Sequence, residues 1–278
     1  MIPFFFLVFV LSVPFWVAGA LLGDLPGSPM DLPVGALQFP CPLIAAAILL
    51  RRSEGAGAVR RLLRTTFAAA GMRRGPWLVT AFLMAPVIDL AAYALAVLVG
   101  GPLGGEHSPL LAAPLLFAVF FVAAACEEAG WTGYATGPLL DRRGVLGASL
   151  IIGVVWGAWH VVPLLQAGRS PSWIAWWFLG TVAARAIMVW LYAGSGGGVP
   201  PAVVLHAMLN VMPSLLPGYV ASDTLITCSG LVGALVAAAL LARSPGPAAR
   251  SSVRPRESDG EEQRGTEVLH GRDSLVCR

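Results

Sequence analysis

The sequence predicts an all-α fold, a polytopic transmembrane helical bundle of about eight spans. Three observations predict it: hydropathy, charge scarcity and the lengths of the apolar runs. Hydrophobic residues make up 57% of the 278 positions and charged residues only 12%, against about 25% charge in a soluble domain. The mean hydropathy is +0.76. A chain this apolar cannot cover a water-facing surface, so lipid must supply much of its solvent.

A spanning helix needs about 20 mostly apolar residues. Eight stretches reach or approach that length: 2–22, 34–50, 77–100, 110–131, 145–166, 173–193, 199–216 and 224–242. The second and seventh are short and contain proline, which a bundle tolerates when neighbouring helices satisfy the freed carbonyl. The first stretch lacks a basic leader and is longer than a signal-peptide core, so it reads as a retained span. Residues 1–242 thus form one transmembrane domain. The segment 243–278 carries thirteen charges and no aromatic residue, which predicts a disordered tail.

The arginines orient the bundle. Seven lie between Arg51 and Arg74, two are Arg142 and Arg143, and seven lie in the tail. All sixteen fall on one side if both termini are cytoplasmic, against Arg169 alone on the other. The expected location is therefore the cell membrane, multi-pass, with both termini inside. The segment Glu54–Thr66 reads as a solvated loop in preference to a short basic surface helix. The net charge of +3 is scattered over loops and tail and does not argue for nucleic acid. Cys41, Cys126, Cys228 and Cys277 show no paired spacing; the first three sit in or beside apolar runs and read as small buried hydrophobes.

Ionisable residues inside the hydrocarbon are costly and mark function by default. Six qualify: Asp89, Glu127, Glu128, His160, Arg185 and His206. Asp89 and Arg185 each lie about 18 Å into their spans, from opposite faces of a core about 30 Å thick. A structural ion pair between them near the midplane is expected, with a substrate or proton path as the alternative.

The other four come in clusters. Glu127 and Glu128 are adjacent in Cys126-Glu127-Glu128-Ala129-Gly130-Trp131-Thr132-Gly133-Tyr134. A carboxylate that exchanges its proton near neutral pH can take one from water and return it to a leaving amine. The competing reading is a pair of glutamates snorkelling at a span end. In Trp156-Gly157-Ala158-Trp159-His160, the i, i+4 spacing puts Trp156 and His160 on one face. Gly157 there allows close helix approach. In His206-Ala207-Met208-Leu209-Asn210 the same spacing lets an imidazole and an amide converge on one atom. Each histidine alone is more often a packing residue. Glu127 and His160, however, lie at similar distances on either side of Arg142–Arg143, so an antiparallel hairpin brings them level. His206 lies about 10 Å into its span and His160 about 25 Å from its turn, at about 1.5 Å per residue. One shared site then requires the tip Pro138–Val145 to protrude about two turns into the cytoplasm, with Trp131 and Tyr134 near the interface.

The pattern Glu-Glu-x-Gly-Trp with Gly-Tyr, then Gly-x-x-His, then His-x-x-x-Asn resembles the CPBP family. This is the group of CAAX-processing and bacteriocin-processing or self-immunity proteins also called Abi. The run Pro200–Ala207 resembles that family's third motif, and the resemblance covers about 110–216. It implies that Glu127 and His160 activate the attacking water. It implies that His206 and Asn210 stabilise the oxyanion, with Glu128 an accessory carboxylate. One position departs: Thr132 stands where the family motif has arginine, which removes the usual ion-pair support beneath the site.

Glu127, His160 and His206 also form a nitrogen and oxygen donor set of the kind zinc uses. Zinc and a metal-free, glutamate-activated water therefore both remain open. The function expected is an intramembrane endopeptidase acting on a peptide or membrane-protein substrate within the lipid bilayer. The alternative is a non-catalytic membrane-binding or self-immunity protein of the same fold, which Thr132 favours and the intact Glu, His, His, Asn set opposes. A transporter is a weaker third reading, because the sequence has no repeated halves.

Overall fold

A computed structural model describes residues 1–24, 32–69, 72–73, 75–101, 104–105, 107–219 and 221–243. The expected disordered tail lies outside the described residues apart from Arg243. The helices are α1 (Ile2–Leu22), α2 (Cys41–Glu54), α3 (Ala56–Phe67), α4 (Trp77–Leu98), α5 (Ala113–Glu128), α6 (Gly137–Gln166), α7 (Pro171–Gly194), α8 (Pro200–Leu215) and α9 (Asp223–Ala242). A π-helical segment, Ala129–Thr136, joins α5 to α6 without a loop.

Among the described residues, six helical stretches are long and apolar enough to cross a membrane, and one of them is the 57-residue run Leu110–Gln166. That run doubles back. Trp156 Nε1 donates to Glu127 Oε2 at 2.9 Å, although the two residues are 29 apart, a separation of about 43 Å along a straight helix. The reversal falls at Gly144, whose φ of 67° and ψ of −177° interrupt α6. Glycine adopts that backbone without the Cβ penalty other residues meet. The run therefore makes two passes. Helix α8, at 16 residues, is the short eighth. The protein is an all-α, multi-pass membrane bundle. Exposed leucine, valine and phenylalanine side chains on α1, α4, α5 and α9, such as Phe6, Val87, Val119 and Leu235, form the surface that lipid solvates.

Three expectations need correction. The segment after Glu54 is not a loop: α3 is a regular helix that buries Ala58, Leu62 and Thr66 on one stripe. The i, i+4, i+8 spacing supplies that face. Trp131 does not present its ring at the bundle surface but is fully buried, edge-on to Phe4 at 5.4 Å and to Trp159 at 5.8 Å. Packing among aromatic rings outweighs the interfacial preference there. Asp89 and Arg185 do not pair. Asp89 Oδ1 instead accepts from the Tyr219 hydroxyl at 2.7 Å and from Ser229 Oγ at 3.4 Å.

The helices that carry the clusters pack through small residues. A Cβ on Gly157 would lie 2.8 Å from the Phe178 ring, and one on Gly153 would lie 3.1 Å from Val182 Cα and 3.3 Å from Arg185 Cβ. Glycine at these two positions lets α7 lie directly against α6, as small residues do between membrane helices. A Cβ on Gly130 would lie 2.6 Å from the Pro42 backbone, so the π-helical segment is pressed against α2 in the same way. Helices α4 and α5 pack on α8, and α7 packs on both α6 and α9.

The hairpin tip can be gauged from one contact. The Trp156 and His206 rings lie 5.1 Å apart, so these residues are level. Trp156 is about 18 Å beyond Gly144, whereas His206 is about 9 Å beyond the start of α8, at about 1.5 Å per residue. The tip therefore extends about 9 Å past the start of α8. Asp141, Arg142 and Arg143 are exposed there, whereas Leu139 and Val145 are buried. A cysteine at position 141, in a background without native cysteines, is expected to react readily with a membrane-impermeant thiol reagent. A cysteine at 139 is expected to stay protected. Equal labelling of both positions would contradict this packing of the tip.

Candidate active site

Neighbouring residues on a helix point about 100° apart, so Glu127 and Glu128 leave the end of α5 in different directions. Their surroundings differ accordingly. Glu128 is fully buried. Its Oε2 accepts from Arg185 Nη1 at 2.7 Å and its Oε1 from Arg185 Nη2 at 2.9 Å, a bidentate pair. Oε1 also faces His206 Nδ1 at 2.9 Å, and Oε2 accepts the Thr132 hydroxyl. Arg185 Nη1 also reaches Thr132 Oγ1 at 3.3 Å. The planar guanidinium fork matches a carboxylate in a way that no single-point cation can.

Glu127 makes no ion pair among the described residues. Its Oε2 accepts the Trp156 indole N–H, and the side chain lines a cavity of about 470 Å³. His160, His206 and Asn210 line the same cavity, as do Asp89, Tyr219 and Ser229. The structure thus brings all four of Glu127, His160, His206 and Asn210 to one space and sets Glu128 behind them.

Hydrogen bonds fix the imidazoles. His160 Nδ1 lies 2.8 Å from the Trp156 carbonyl oxygen. A carbonyl only accepts, so Nδ1 carries the hydrogen and Nε2 of a neutral ring keeps its lone pair. His160 is enclosed by the Trp156, Trp159 and Trp177 rings, with centroids at 5.4, 4.7 and 5.3 Å. Its orientation is therefore set by packing as well. His206 Nδ1 faces the Glu128 carboxylate and donates to it, which fixes the ring. Asn210 Nδ2 donates to the His206 carbonyl at 3.3 Å, leaving one N–H and the amide oxygen for a ligand.

No group of three or more His, Cys, Asp or Glu among the described residues is arranged to hold a metal ion. Glu127, His160 and His206 have the right donor chemistry for zinc, but as placed they do not form a ligand set.

Three groups that shape the site were not assigned to it by the sequence. Arg185 was singled out and given the wrong partner. The Thr132 hydroxyl was seen only as a missing arginine. For Trp156 the spacing gives only a helix face shared with His160. Arg185 is the sequence's one cation within a span, which is the signal that could have linked it to Glu128.

A membrane bundle with a carboxylate, two imidazoles and an amide converging on a buried cavity has the makings of a membrane-embedded hydrolase. Comparison with known proteins makes that particular. Residues 109–212 match the family described as type II CAAX prenyl endopeptidase Rce1-like. The chain is also 26% identical over 258 residues to CAAX prenyl protease 2 of Methanococcus maripaludis, covering 86% of this chain and 92% of that protein. Both likenesses are to CAAX prenyl proteases, in keeping with the resemblance that the sequence motifs carry. The family match spans α5, the π-helical segment, α6, α7 and most of α8, the elements that hold the five site residues.

Proposed function

We propose that the protein is an intramembrane endopeptidase that cleaves prenylated CAAX-type peptides with a water activated by Glu127. One observation carries this reading. Of two adjacent buried carboxylates, Glu128 is neutralised by Arg185 while Glu127 is left unpaired and facing the cavity with His160, His206 and Asn210. A neutralised carboxylate is a scaffold, and an unpaired one facing a substrate-sized cavity is a base.

The steps follow from the groups. Water bridges Glu127 and the lone pair on His160 Nε2. Glu127 takes a proton as the water oxygen bonds to the scissile carbonyl carbon. The carbonyl π electrons move onto oxygen, and His206 Nε2–H and the Asn210 N–H receive the resulting alkoxide. The intermediate collapses, the C–N bond breaks, and the proton held by Glu127 passes to the departing amine. Glu128, anchored by Arg185, holds the His206 ring in place through Nδ1, and donation to the alkoxide from Nε2 uses that ring with a hydrogen on both nitrogens. The absence of arginine at 132 no longer favours a non-catalytic protein, because α7 supplies a cation to the same carboxylate. Orientation is part of the proposal: both termini and the Arg51–Arg74 segment face the cytoplasm, and the site opens from that side.

Purified protein in liposomes should cleave a farnesylated, internally quenched peptide ending in a CAAX sequence at the bond after the prenylated cysteine. Dialysis against a strong chelator should leave the rate unchanged. Loss of activity on chelation with recovery on added zinc would replace glutamate-activated water by a zinc mechanism. No cleavage by a well-folded preparation of any peptide in a prenylated CAAX panel would overturn the substrate assignment.

A further inference from the structure

We infer that Trp156 is a positioning residue that sets the orientation of Glu127 through its indole N–H and of His160 through its own carbonyl. This rests on the reading of Glu127 as the base. Four contacts meet at this one residue. The indole Nε1–H donates to Glu127 Oε2 at 2.9 Å. The Trp156 carbonyl accepts from His160 Nδ1 at 2.8 Å. The Arg185 guanidinium carbon sits 4.2 Å from the Trp156 ring centroid. The His206 ring stands edge-on to the same indole at 5.1 Å and 76°.

The arrangement solves a problem peculiar to this site. Glu127 is in no ion pair among the described residues, on a side chain with three rotatable bonds. In an apolar surrounding such a carboxylate would turn towards the nearest charge, and Arg185 is only one residue's partner away. The indole N–H offers it one directional donor without an ion pair, so its orientation is fixed. The indole is itself fixed from behind. Arg185 packs on its ring as a cation on a π system, and Arg185 is locked by its bidentate bond to Glu128. Gly153 and Gly157 make this possible, because a side chain at either would push α7 and its arginine off α6. Glu128 and Glu127 are thereby linked through Arg185 and Trp156, although they share no hydrogen bond among the described residues.

A phenylalanine keeps a ring for Arg185 and His206, and any residue keeps the carbonyl for His160. Trp156→Phe removes the N–H together with part of the indole's bulk while keeping an aromatic face. The expected result on the farnesylated CAAX peptide is a fall in kcat of roughly 10- to 100-fold, with KM within about twofold, since misplacement of a catalytic group acts on the chemical step. A direct measurement needs no turnover. In full-length ¹⁵N-labelled protein, the Trp156 indole ¹⁵N–¹H signal, assigned by its disappearance in Trp156→Phe, should shift in Glu127→Gln. It should stay put when a surface residue such as Asp141 is changed to Asn. An indole signal unmoved by Glu127→Gln would overturn the proposal, as would a Trp156→Phe enzyme with wild-type kcat. The two readings fail differently. If Glu127 is not the base, Glu127→Gln keeps its activity while the indole signal still shifts. If Trp156 does not position it, Glu127→Gln is inactive and the indole signal does not move.

Discussion

Glu127→Gln is expected to lower the peptidase rate by at least about 100-fold, the scale that general-base catalysis supplies, while leaving the bundle folded. Glutamine is isosteric and its amide oxygen still accepts the Trp156 indole N–H, so the local geometry survives. The ability to take a proton from water does not. Glu127 is in no ion pair among the described residues, so no cation is stranded by the change, and thermal unfolding in detergent should shift little. The pair of readouts is what makes the result informative. Lost activity with an unchanged melting profile identifies chemistry, whereas a parallel loss of both would reduce Glu127 to a structural residue.

Arg185→Met is expected to have the opposite signature, a loss of stability on the order of 3–5 kcal/mol. Arg185 and Glu128 are both fully buried and joined at 2.7 Å. Removing the guanidinium leaves a carboxylate in an apolar interior with only the Thr132 hydroxyl and His206 for company. Glu128→Gln strands the arginine in the same way. Combining the two should recover much of the loss, because a matched neutral pair is far better tolerated than half an ion pair. The double variant, refolded but lacking the carboxylate that holds His206, should still turn over slowly. Denaturant or thermal midpoints of the four proteins give the coupling. Simple addition of the two single losses would show that the ion pair does not act as a unit.

These two residues also show where reading the sequence stopped. Hydropathy placed every span to within a few residues, and depth counts put Glu127 and His160 level, with His206 joining them only if the hairpin tip protrudes, because rise along a helix is a property of the backbone alone. Depth does not give rotation about the helix axis. Arg185 was level enough with both Asp89 and Glu128 to pair with either, and the choice depended on which face of α7 meets α6. That face is set by Gly153 and Gly157 on the partner helix, a tertiary fact no single span encodes. Asp89 points instead to Tyr219, which lies beyond the end of α8. The reversal at Gly144 came one residue after the arginine pair that was expected to mark it. The π-helical form of Ala129–Thr136 left no sequence signal, since its residues are compatible with an ordinary helix.

The contacts of α1 bear on how the chain comes together. Trp159 Nε1 donates to Ser12 Oγ at 2.7 Å across 147 residues, and Gln166 Nε2 donates to the Trp16 carbonyl at 2.7 Å. Helix α1 is thus bonded to α6, a helix made well after it. At about 5–20 residues per second, the 147 residues between Ser12 and Trp159 take roughly 7–30 s to synthesise. Ser12 covers itself meanwhile by donating to the Val8 carbonyl one turn back, at 2.8 Å. The indole of Trp159 has no such local recourse and must find α1 already waiting in the lipid. Severing α1 and supplying it later as a separate peptide should therefore give a protein that inserts its remaining helices but assembles its core only when the two fragments meet.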